Sequence, residues 1–330
     1  MKKHIYIYSP SGAVRDKAAF RRGVARLTAL GHEVEIDPHA LTSWQRFAGD
    51  DATRLAAVHR AAASGADVAL VSRGGYGMTR LLPDLRYKAI GRAIERGMLF
   101  IGISDFTALQ CAILAKTGHI TWAGPALCEG FGVGGRSSGE ALGKSTASLV
   151  PDEIMEACFD DLLCGQGEGA GWRQRAASTG RASTAEHAQP NEQLLQIKNA
   201  TLWGGNLSVL TSLVGTPYLP DVKGGVLFLE DVGEHPYRIE RMLTQLLHSG
   251  VLARQKAIVM GQFNGFKLTP HDRGFNLNRV WEWLRGKVKV PVLTNLPYGH
   301  VPTKVLLPVG AKVDLVTERG DAMLFWGHSH

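Results

Sequence analysis

The chain has 330 residues, 45% of them hydrophobic and 20% charged, a balance that fits a globular protein of one large or two smaller domains. No apolar stretch approaches the roughly 18 residues of a membrane helix, and the apolar run in the opening MKKHIYIYSPSG is too short and broken for a signal peptide. The net charge of +7 is dispersed, with no arginine-rich run interleaved with aromatics, which argues against a nucleic-acid surface and leaves a general preference for anionic substrates.

Residues 5–8 read as a strand, 17–30 as a helix ending at Gly31, and 33–36 as a second strand. Residues 51–64 read as a helix closed by Gly65, 68–71 as a third strand, and 86–96 as a helix again stopped by glycine. Strand and helix in regular alternation predict a doubly wound parallel sheet for this part of the chain. The apolar run 98–103 (MLFIGI) leads into 105–116 (DFTALQCAILAK), where Phe106, Leu109, Ile113 and Leu114 have helical spacing. From Gly130 the character changes, and 165–193, rich in Gly, Ala, Ser and Gln, reads as a long loop or linker. Order resumes at 194–197. GGNLSVLTSLVG is a helical pattern closed by Gly215, 225–230 is a strand, and 236–247 is a helix opened by proline. Residues 257–260 and 290–293 read as further strands, and 304–326 alternates as a terminal β-hairpin with Arg319-Gly320-Asp321 near its turn. The expected fold is thus α/β: an N-terminal domain over 1–129, a variable linker or loop region over 130–193, and a C-terminal α/β domain over 194–330 with a hairpin tail.

Several short motifs carry no chemistry in this context. Gly130, Gly132 and Gly135 satisfy G-x-G-x-x-G, but no strand leads directly into the turn, as dinucleotide binding requires. Gly143-Lys144-Ser145 has Ser138 where a P-loop needs its first glycine. There is no H-E-x-x-H and no Cys/His ligand cluster, so neither a metal nor another cofactor is expected. The four cysteines, Cys111, Cys128, Cys158 and Cys164, lack C-x-x-C spacing and read as reduced thiols, which together with the missing signal peptide points to the cytoplasm.

Ser104 stands at the junction of an apolar strand and a helix, two residues after Gly102. At such a turn a serine is lifted clear of the sheet edge, the geometry a nucleophile needs; equally, a serine there can cap the helix. Gly-x-Ser-x-Gly is not complete, because Phe106 occupies the second glycine position. A second glycine-rich turn, SRGGYGMTRLL over 72–82, follows the strand at 68–71, so both turns fall at the carboxyl edge of one parallel sheet. A base is needed to activate a serine, and with twelve histidines spacing alone does not choose between His119, His235, His300 and the rest.

RGGYG-x-x-RLL followed by IGISD-x-TAL resembles the LD-carboxypeptidase family of serine peptidases, which includes muramoyltetrapeptide carboxypeptidases and microcin C self-immunity peptidases. The resemblance continues at 225–241 (GVLFLEDVGEHPYRIER) and 296–310 (LPYGHVPTKVLLPVG), covering most of the chain apart from about 130–195. It implies Ser104 as nucleophile, His300 as general base and Glu230 as the residue that orients the base. In that reading the oxyanion would be met by the backbone N–H of Asp105, from elbow geometry, and by one from the Arg73-Gly74-Gly75 turn, where glycine allows close approach. Arg73, Arg80, Arg238 and Arg241 are candidates by motif position for binding a free carboxylate. The implied activity is removal of the terminal D-alanine from murein tetrapeptide in cell-wall recycling, by a homodimer acting on a small peptide without nucleic acid or membrane. Two other readings stay open. One is hydrolysis of a peptidyl-nucleotide amide, for which Trp172 is an isolated candidate for base stacking. The other is a non-catalytic binding protein on a similar scaffold.

Overall fold

The computed structural model describes residues 1–134, 150–174 and 194–327. Five parallel strands, β1 (His4–Tyr8), β2 (Glu33–Ile36), β3 (Val68–Val71), β4 (Leu99–Gly102) and β5 (Thr121–Ala123), lie in the order β5-β4-β3-β1-β2. Their side chains alternate between two faces. Ile5, Ile7, Val68, Leu70 and Ile101 pack with Phe20 and Leu27 of α1 (Lys17–Ala29). Tyr6, Tyr8, Ala69, Val71 and Phe100 pack with α2 (Asp51–Ala63), α3 (Tyr87–Glu95) and α4 (Thr107–Thr117). Helices on both faces of a parallel sheet are the doubly wound arrangement expected from the alternation of elements. The turns after β1, β3 and β4, which carry Gly12, Arg73 and Ser104, meet at one edge of this sheet.

Two stretches depart from the sequence reading. Within the interval read as loop and linker, Glu153–Leu163 is a helix (α5), N-capped by Asp152, whose carboxylate accepts the Met155 N–H at 3.0 Å. Gly169–Arg173 is a strand (β6). Its small residues carry no apolar alternation, so pairing with a distant partner, not local pattern, makes it a strand. The remainder of that loop, 175–193, and the rejected motif positions Gly135, Ser138 and Gly143-Lys144-Ser145 lie outside the described residues.

The second sheet is mixed, in the order β10-β9-β8-β7-β12-β13-β6. β7 (Leu195–Asn206) is long enough to serve two neighbours: its C-terminal half pairs in parallel with β8 (Val226–Val232), its N-terminal half antiparallel with β12 (Lys312–Glu318). β9 (Ala257–Asn264) and β10 (Val292–Leu293) extend the parallel half, and α6 (Leu207–Ser212), α7 (Pro236–His248) and α8 (Leu277–Lys287) connect its strands. Between β10 and β12, the strand β11 (Leu307–Val309) crosses to the first sheet and pairs antiparallel with β5, so that sheet gains one antiparallel edge. β12 and β13 (Asp321–Phe325) form the expected hairpin, with Arg319 and Gly320 at φ 49° and 84°, the left-handed pair of a tight I′-type turn.

α4 joins the two halves. Seven of its eleven residues are buried, because one flank packs on the first sheet and the other on β7 and α6. The apolar spacing read as one helical stripe is therefore buried on nearly every side.

Candidate active site

Ser104 adopts φ 66°, the left-handed region. A non-glycine residue there carries a cost of about 1–2 kcal/mol, which the surrounding packing has to hold. Two glycines make that packing possible. A methyl group on Gly102 would lie 2.6 Å from the Phe106 ring, so the missing side chain is the space in which Phe106 is buried. A methyl on Gly74 would lie 2.6 Å from Ser104 Cβ and 2.8 Å from its Oγ. The glycine-rich turn is thus pressed directly against the serine. Phe106 at the position of the second elbow glycine is explained by its packing on the first.

The Asp105 carboxylate is buried and accepts the Met78 N–H at 2.8 Å, tying the Ser104 turn to the end of the glycine-rich one. Burial raises its pKa, opposed by hydrogen bonds from Met78, Ser11 and Gly77 and by the charge of Arg54. Its side chain is a structural tie between the two turns. Arg73 donates from Nη1 to the Ala13 carbonyl at 3.0 Å and holds Nε 3.6 Å from Glu129 Oε1. Gly75, at φ 121°, faces Gly12, whose N–H donates to the Gly74 carbonyl at 3.2 Å.

Glu230, fully buried near the end of β8, places Oε2 2.8 Å from Nδ1 of His300. Its other oxygen accepts from Asn206 Nδ2 at 3.2 Å, and the same amide donates to Asp231 Oδ1 at 3.0 Å. Asn206 also reaches the Ser104 side of the molecule, because its backbone N–H donates to the Thr107 hydroxyl at 3.0 Å. Burial disfavours the charged His300 ring, but the hydrogen bond and charge of Glu230, with Glu129 and Asp231 adding, outweigh it and raise the pKa overall. With Nδ1–H donating to Glu230, Nε2 is the nitrogen free to take a proton.

Ser104 lies between two cavities. One of about 470 Å³ is lined by Ser104, Arg73, Glu129, His300 and Lys304. The other, of about 600 Å³, shares Ser104 and Gly75 and is walled by Tyr76, Asn206, Asp231 and Glu234. Ser104, His300, Glu230, Asp105, Gly75 and Arg73 are therefore brought to one place. The remaining candidate arginines are not. Arg80 pairs with Asp51 at 2.7 Å, Arg238 lies 3.7 Å from Glu234 on the surface, and Arg241 lines neither cavity. His235 is paired with Asp272 at 3.2 Å and His119 with Glu95 at 3.1 Å, and neither lines the two cavities at Ser104. Trp172 is 8% exposed, and its indole N–H donates to the Thr294 carbonyl at 3.1 Å. It is a core residue of β6 and has no free face on which a base could stack. Sequence reasoning missed Asn206, Glu129 and Lys304. The signal for Asn206 was a Gly-Gly-Asn at a strand end opening a helix; for Lys304 it was a lysine set against the apolar run VLLPV. Among the described residues no three His, Cys, Asp or Glu side chains converge as metal ligands.

The N-terminal domain of the LD-carboxypeptidase family matches residues 5–124, and its C-terminal domain matches 199–315. The crystal structure of muramoyltetrapeptide carboxypeptidase from Oxalobacter formigenes superposes with a TM-score of 0.80 at 34% identity, covering 98% of each chain. The murein tetrapeptide carboxypeptidase of Pseudomonas aeruginosa is 30% identical over 288 residues, 86% of this chain and 84% of that one. The microcin C7 self-immunity protein of Escherichia coli is 29% identical over 257 residues, 73% of this chain and 68% of that one. With both family domains matched in order and relatives similar over most of their length, the chain belongs to the LD-carboxypeptidase family of serine-type peptidases.

Proposed function

We propose that this carboxypeptidase removes the terminal D-alanine of murein tetrapeptide, cutting the bond from the L-configured centre of diaminopimelate. The observation that carries the reading is the convergence on one cavity of a left-handed Ser104 with His300, itself held 2.8 Å from a buried Glu230. In this reading His300 Nε2 takes the Ser104 proton as Oγ bonds to the carbonyl carbon. The oxyanion meets the backbone N–H groups of Asp105 and the Gly75 turn, each such donor contributing about 3 kcal/mol to the barrier reduction. The tetrahedral intermediate collapses, the C–N bond breaks, and His300 returns its proton to the leaving amine of D-alanine. Water then attacks the acyl-enzyme, giving a proton to His300 that passes back to Ser104. Glu230 accepts from Nδ1–H throughout and stabilises the imidazolium. By family resemblance the working form is a cytoplasmic homodimer.

The two cavities differ in the way a directional substrate requires. The smaller holds two cations, Arg73 and Lys304, against one carboxylate, Glu129, and so favours the free carboxylate of the leaving residue; the larger holds Asp231 and Glu234 with no lysine or arginine among the described residues of its wall, suited to an ammonium group on the acyl side. The test is mass spectrometry of products from a panel of murein peptides, all-L peptides and peptidyl-nucleotides, with wild type and Ser104→Ala. Loss of D-alanine from the tetrapeptide alone, abolished in a folded Ser104→Ala, is expected. Equal cleavage of an all-L peptide, or of the peptidyl-nucleotide in preference, would overturn the substrate assignment.

A further inference from the structure

Lys304 sits in the chain between the pair Pro302-Thr303 and the apolar run that becomes β11, and it is only 3% exposed. A buried ammonium normally has a carboxylate or carbonyl beside it. Among the described residues Lys304 forms no hydrogen bond and no ion pair within 4.0 Å. Its neighbours of opposite charge act on it only at longer range: Glu129, Glu230 and Asp152. The first is engaged by Arg73, the second by His300 and Asn206, and the third by the Thr303 hydroxyl at 2.6 Å and the N-terminus of α5. What Lys304 does face is the smaller cavity, whose wall it shares with Ser104, His300 and Arg73. Burial pulls its pKa below that of an ordinary lysine, against the raising influence of those three acids.

We infer that Lys304 is a specificity-determining residue that binds the C-terminal carboxylate of the substrate in the cavity on the leaving-group side of Ser104. A largely buried lysine whose ammonium meets the cavity without a partner among the described residues is one that a carboxylate arriving there would complete. Arg73 lines the same wall but already donates to Ala13 and faces Glu129, so its capacity for a new anion is partly used. The compact ammonium of Lys304 forms no hydrogen bond among the described residues, and a charge-assisted bond to a carboxylate at a largely buried side chain is stronger than one at the surface. The cavity of about 470 Å³ is ample for one small residue with its carboxylate and small for an extended peptide, which fits an enzyme that removes a single terminal residue.

The inference rests on the peptidase reading above, and the experiment separates the two. kcat/KM is measured for wild type, Lys304→Met and Lys304→Gln on a murein tetrapeptide and on the same peptide with a C-terminal carboxamide, alongside thermal unfolding. Wild type is expected to prefer the acid strongly. In Lys304→Met the acid should lose about ten- to a hundredfold, the worth of one hydrogen bond between charged groups, while the amide stays within about twofold. Because an unpaired buried charge is removed, the melting temperature should hold or rise. An equal fall on acid and amide, undiminished discrimination in the variants, or failure of both variants to fold would overturn the inference while leaving the peptidase reading standing. A wild type that hydrolyses neither peptide would instead refute that reading, and the inference with it.

Discussion

Replacing Gly74 by alanine adds one methyl group where the structure has Ser104. The new Cβ would stand 2.6 Å from Ser104 Cβ and 2.8 Å from Oγ, against the roughly 3.5–4.0 Å of a comfortable carbon contact. The backbone at Gly74 is outside the left-handed region, so alanine's own conformation is permitted and the effect is steric. Rotating the Ser104 side chain cannot relieve it, since its Cβ is fixed by a backbone already held at φ 66°. The turn and the serine must therefore separate by about 1 Å, a misplacement that can cost about 100-fold in rate. Overpacking adds a stability loss of about 1–3 kcal/mol. Gly97→Ala is the control: at φ 96°, with no atom within 4 Å of the added methyl, it is destabilising without approaching the site. The assay is kcat/KM on murein tetrapeptide together with thermal melts of both variants. Gly74→Ala within twofold of wild type would refute the claim that this glycine sets the position of the nucleophile.

Activity should rise with pH through a value above the ordinary histidine pKa of about 6.5, because in the proposed mechanism a neutral His300 takes the Ser104 proton and Glu230 holds its pKa up. Glu230→Gln should move that limb to lower pH and cut the rate by up to about 10⁴-fold, read from kcat/KM against pH; an unmoved limb would disprove the coupling. The same raised pKa stabilises the fold fully below the unfolded-state value, and that contribution is lost as pH rises through the folded one, so the melting-temperature gap between wild type and Glu230→Gln should narrow from acid to alkaline pH. On the proposed mechanism Ser104 and His300 act as a unit, so the single His300→Ala and Ser104→Ala variants should be as inactive as the double variant in kcat/KM. His235→Ala, which removes the contact to Asp272 and the ring packing on Tyr237 and Phe266, should stay near wild type in activity; a folded but inactive His235→Ala would move the base.

The sequence by itself determined what depends on neighbours along the chain. The strand-helix alternation of the first sheet, the turn at Ser104 and the hairpin at Arg319-Gly320 follow from apolar period and turn chemistry, which act over a few residues. Pairing across the molecule was left to the tertiary structure, because nothing local encodes it. Gly169–Arg173 has no strand pattern and becomes one only beside β13, about 150 residues later. Leu307–Val309 reads as part of the hairpin tail yet leaves it for the first sheet, because β5 offers an unpaired edge. Trp172 looked available in a polar loop, but its indole finds the Thr294 carbonyl and is buried there. Asn206 and Lys304 were invisible as site residues for the same reason: one is defined by what it joins, Glu230 to Asp231, the other by what surrounds it. Sequence pattern sets which residues arrive at a sheet edge; only the packing of two sheets through α4 decides which of them face Ser104 and in what charge state.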